Sequence, residues 1–68
     1  MKHEATIRRI IATMHESWMT ESDKLAFEDD LLAIFGEQLG SDIEKGIQAG
    51  HSPEQQEAMG VALLRSIT

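Results

Sequence analysis

The sequence predicts an all-α protein, a small helical bundle of three main helices and a short fourth at about residues 3–18, 22–39, 41–49 and 53–67, completed by oligomerisation. Three observations lead there. Apolar residues recur every three or four positions through most of the chain, and no stretch alternates in the manner of a strand. Helix start and stop signals divide the periodic segments. The chain has 68 residues and no cysteine, so helical faces must supply the core without disulfides or thiolate zinc.

The first helix is carried by Ile7, Ile10, Ile11, Met14 and Trp18, which form one amphipathic stripe opposite Arg8, Arg9, Thr13 and Glu16. Trp18 is expected to close the end of the core with its indole N–H turned to a polar partner. The chain breaks at Met19-Thr20-Glu21-Ser22. Thr20 with Asp23 resembles a capping pair, and Ser22 is a second N-cap candidate.

The second helix carries Leu25, Phe27, Leu31, Leu32, Ile34, Phe35 and Leu39, an apolar surface wider than a single stripe. Such a helix has neighbours on more than one side, from its own chain or from a second subunit. Gly40 suits a helix-ending position and Ser41 with Glu44 a capping box, so the segment is expected to end and restart there. The alternative is one continuous helix through Ile47, with Gly36 and Gly40 as a small-xxx-small pair that admits another helix backbone.

Gly50-His51-Ser52-Pro53-Glu54-Gln55 holds a C′ glycine, a serine N-cap, proline at the first helical position and a glutamine placed for a capping box. The last helix follows, with Met59, Ala62, Leu63 and Ile67 expected to face inward.

Charge is unevenly distributed. Glu16 to Glu44 holds nine acids against the single base Lys24, whereas Met1 to His15 holds Lys2, Arg8 and Arg9 against Glu4. The net charge of −6 argues against a general binder of nucleic acid or anionic membrane, since both require a basic face. No segment approaches the roughly 20 apolar residues that cross a bilayer, and the polar first turn resembles no targeting signal. The expectation is one domain over residues 1–68, a complete small open reading frame, located in the cytoplasm.

Catalytic signals are weak. There is no cysteine or tyrosine, Gly-x-Ser-x-Gly, phosphate-binding glycine loop or His-Glu-x-x-His. His15-Glu16 beside Trp18 reads as an ordinary surface pair, and His3, His15 and His51 match no metal-ligand spacing. Glu28-Asp29-Asp30 point around most of a helix, so the run cannot chelate one ion. No catalytic residue, metal or cofactor is therefore expected.

What remains is association. Trp18, Met19, Phe27, Leu31, Ile34 and Gly36 are the expected partner or dimer interface, and Glu28, Asp29, Asp30 and Glu37 an acidic patch beside it. The expected function is a small acidic protein–protein interaction or regulatory module acting as a homo-oligomer, without catalysis. The alternative is an acidic inhibitor or nucleic-acid mimic that occupies the basic surface of a bacterial or phage nucleic-acid enzyme. Size and acidity suit small helical proteins of bacteria, phages and plasmids, but no residue motif singles out a family.

Overall fold

Three helices, α1 (Glu4–Ala12), α2 (Glu21–Gln48) and α3 (Pro53–Ile67), make up 76% of the chain, with no strand, in a computed structural model that describes all residues 1–68. The 28-residue α2 is the longest element of a molecule that measures 37 × 21 × 20 Å. α3 returns antiparallel along its C-terminal half, and α1 packs against both.

α1 is shorter than the apolar stripe predicts, ending at Ala12 rather than Trp18. Thr13 turns its hydroxyl back onto the Ile10 carbonyl at 2.7 Å. The amides of Thr13, Met14 and His15 bond three residues back instead of four, so the last turn tightens and stops. Periodicity is blind to this, because Met14 still falls on the inner side. Beyond the break Trp18 does not cover the core: it is 66% exposed. Its indole N–H does find a polar partner, the Glu16 carboxylate.

α2 begins on a complete capping box. Thr20 Oγ1 accepts from the Asp23 amide and Asp23 Oδ2 accepts from the Thr20 amide, each at 3.1 Å, which leaves Ser22 inside the helix. The helix then continues through Gly40 without a break, so the separate helix expected at 41–49 does not exist. Two tertiary contacts override the local signal. Gly40 lies under α1, where a β-carbon would sit 3.8 Å from Ile7 Cδ1, and Glu44 bonds Lys2 and His3 instead of capping Ser41. Each glycine costs about 1 kcal/mol of helix propensity, and close packing of α1 offsets it.

The end of α2 is a Schellman turn. Gly50 takes a left-handed φ of 84°, its amide bonds Ile47 O, and the His51 amide bonds Gly46 O. Ser52 then caps α3 by accepting from the Gln55 amide at 3.1 Å, with Pro53 at the first helical position.

Six fully or nearly fully buried apolar residues form the core: Ile7, Ile10 and Ile11 from α1, Leu39 and Ile43 from α2, and Leu64 from α3. α1 thus supplies half the core from the shortest helix. The inner face of α3 is Gln56, Gly60 and Leu64, not the expected Met59, Ala62, Leu63 and Ile67. Met59 is 46% exposed and Ile67 lies at the surface, while Leu63 is half-buried. The helix is rotated because Gly60 is the notch that receives Ile10: a methyl group there would overlap Ile10 Cδ1. A hydrophobicity pattern assigns no inward preference to a glycine or a glutamine.

The solvent-accessible surface is 4418 Å² for 7.6 kDa. A monomer of that mass exposes roughly 4,300 Å². The single chain therefore exposes about the surface expected of a monomer of its mass.

Candidate interaction surface on the long helix

The basic head and the acidic middle meet in space. Arg8 on α1 reaches three carboxylates, with Nη2 at 2.9 Å from Asp29, Nη1 at 3.3 Å from Glu28 and Nε at 3.3 Å from Glu4. The hydrogen bond to Asp29, ahead of those to Glu28 and Glu4, raises the guanidinium pKa above its ordinary value, against the opposing effect of partial burial. His15 Nε2 stands 2.9 Å from Glu28 Oε2, at ion-pair distance but off the hydrogen-bonding direction, and its ring meets Phe27 edge-on. At the other end of α1, Lys2 Nζ lies 2.9 Å from Glu44 and His3 bonds the same carboxylate.

The His3 bond, followed by that to Lys2, lowers the Glu44 pKa below the ordinary glutamate value. A depressed folded-state pKa contributes stability above the unfolded value, about 4.3 for glutamate, and loses it as pH falls through the folded value. Wild-type protein is therefore expected to melt above Glu44→Gln near neutral pH, and the two melting curves to converge on acidification below the glutamate range. A gap that persists unchanged in acid would remove Glu44 from this role.

These pairs divide the expected acidic patch. Glu28, its side chain 14% exposed, and Asp29 belong to the α1–α2 joint. Asp30 and Glu37 are exposed and have no basic partner in the chain. The expected interface residues divide as well. Phe27 and Leu31 are half-buried against the core, and Met19 is half-buried with Sδ accepting from the Glu16 amide. Gly36 is buried, its α-carbon facing the Met1 methyl, so its close approach is made within the chain. Trp18 and Ile34 are the two that stand out into solvent, Ile34 at 67% exposure in the middle of α2.

Ile34 borders a shallow depression on the outward side of α2, shared with Glu37, Gln38, Ser41, Asp42 and Lys45. Sequence reasoning passed over Lys45, whose charge is unpaired within the chain. The signal was present: Lys45 lies eight residues after Glu37, with Ser41 midway, on one ridge of an α-helix.

Sequence reasoning also missed the joint between the end of α2 and α3. Gln56 is buried, donates from Nε2 to Asp42 O at 3.3 Å, and lays its carboxamide oxygen directly over the Gly46 α-carbon. Beside it a cleft of about 430 Å³ opens between the helices, with Lys45, His51, Met59 and Leu63 on its walls. The His51 Nδ1 is buried there without a hydrogen-bond partner. No three His, Asp or Glu side chains converge as potential metal ligands, and no helix is long and apolar enough to cross a membrane.

Fold and surface together define the class: a three-helix all-α protein in which a long acidic helix is half covered by a basic first helix and half presented to solvent. In comparisons with known proteins, the chain matches no family model, no curated protein and no solved structure.

Proposed function

We propose that this protein is a non-catalytic protein-binding module of the cytoplasm that works as a homo-oligomer and docks its partner on the outward side of α2. Ile34 carries the reading. A large apolar side chain 67% exposed at the centre of the longest helix, between the free acids Asp30 and Glu37, has the make-up of an apolar contact with a polar rim. Phe27 and Leu31 continue the apolar surface toward the N-terminal end of the helix.

The nucleic-acid-mimic alternative draws less support, because α1 occupies Glu28, Asp29 and Glu44. Of the patch, Asp30 and Glu37 remain free, and at seven residues apart they lie about 10 Å from each other along the helix.

A photo-crosslinking amino acid placed at position 34 tests the reading in the native host, with exposed position 54 at the start of α3 as control. Position 34 is expected to yield a discrete protein adduct well above the control. Equal labelling at both positions would overturn the assignment.

A further inference from the structure

We propose that the outward ridge of α2 binds a second copy of itself in antiparallel fashion about a two-fold axis at Ser41, so that Glu37 of each copy pairs with Lys45 of the other. The inference rests on the reading of α2 as a docking surface and names the occupant.

Ala33, Glu37, Ser41, Lys45 and Ala49 stand four residues apart and form one continuous ridge along the helix. Ile34, Gln38 and Asp42 form the next ridge, and the depression on this side of α2 is the furrow between the two. Helices in globular proteins most often pack with such ridges interdigitating at about −50°. Placed that way, the first ridge is complementary to its own reverse. Its small residue falls at the crossing, and an alanine follows each charged residue outward, Ala33 beyond Glu37 and Ala49 beyond Lys45. Glu37 and Lys45 lie about 12 Å apart along the axis, too far to pair with each other. Both lack a partner in the chain. The two-fold supplies one to each of them, twice per dimer.

The same arrangement sets Ile34 over Gln48 of the second copy and Glu44 over Gln38, so no acid opposes an acid. A parallel alignment would stack Glu37 on Glu37 and Lys45 on Lys45, and like charges disfavour it. Glu37 and Ser41 are exposed on the outward side of α2, and Lys45 is exposed at its edge, where it also forms part of the α2–α3 cleft wall. Because the single chain already buries an ordinary share of its surface, the association is reversible and concentration-dependent.

Sedimentation velocity over a micromolar concentration series, with circular dichroism to verify helicity, tests this on the full chain. Wild type is expected to pass from monomer to dimer. Glu37→Lys and Lys45→Glu should each weaken association about tenfold or more, and the double variant should restore it, because the reversed pairs re-form. The single variants shift the net charge from −6 to −4 and to −8. A general charge repulsion would therefore move them in opposite directions, whereas the ridge predicts the same direction for both. A wild type that stays monomeric throughout, or a double variant as weak as the singles, overturns the proposal. A heterologous adduct at position 34 in that case would leave the protein-binding reading standing and remove the second copy as its occupant.

Discussion

Ile10→Ala is expected to remove roughly half of the folding free energy. A chain of this length has a total stability of roughly 3–10 kcal/mol, taking about 0.05–0.15 kcal/mol per residue. Truncating a fully buried isoleucine to alanine costs about 2–5 kcal/mol, and the upper part of that range applies where the surroundings cannot collapse into the space. Ile10 is such a case. It is completely buried in a core of six residues, and its Cδ1 fills the notch at Gly60, where no side chain of α3 can move in. Urea titration followed at the helical circular dichroism band reads the loss directly. Ile10→Val should cost only about 0.5–1.5 kcal/mol, because most of the packed volume is kept. If the alanine variant lost less than its valine counterpart, the notch would not be the keystone of the α1–α3 contact.

The second large effect concerns a substitution that local propensity would favour. Gly46 lies inside α2, where alanine should stabilise the helix by about 1 kcal/mol. Gly46→Ala is nevertheless expected to destabilise the protein by about 1–3 kcal/mol net, the range typical of overpacking a filled interior. The added methyl would occupy the place of the Gln56 carboxamide. To make room, Gln56 must abandon its bond to Asp42 O, or α3 must move away from α2. The diagnostic is a change of sign. In a Gln56→Ala background the overlap is gone, and the same glycine-to-alanine change should become neutral or stabilising by up to about 1 kcal/mol. A Gly46→Ala variant that stabilises the otherwise wild-type protein would show that the two helices do not meet as closely as the structure places them.

Both effects mark where reading the chain locally stops working. Helix starts were legible because a cap is a contact between residues three apart: Thr20 and Asp23 form a complete box, and Ser52 accepts from the Gln55 amide, though the Gln55 side chain does not return the bond that would complete a second box. The C′ role of Gly50 was legible for the same reason. Gly40 and Ser41 offer the same local chemistry as a helix end, and there it loses, because Ile7 and the Lys2–His3 pair come from the other end of the chain. The α3 face was misjudged at Gly60 and Gln56 because an inward glycine or glutamine is recognised only with the residue it receives, Ile10 in one case and Gly46 in the other.

The candidate surface divides along the same line. Its residue types were legible: acids and large apolar groups crowd α2, and the bases Lys2, Arg8 and Arg9 lie in and just before α1. Which acids stay free was not, since pairing depends on where Arg8 and Lys2 land across the α1–α2 joint.

By itself, then, the sequence determined the all-α class, the N-caps at Thr20 and Ser52, the turn into α3 and the charge polarity of the chain, because each depends on residues within a few positions of one another. The tertiary structure alone decided the continuity of α2, the rotation of α3 and the division of the acids into a paired inner flank and a free outer ridge. Those outcomes depend on contacts between residues tens of positions apart, whose energies rival or exceed the ~1 kcal/mol of a local preference.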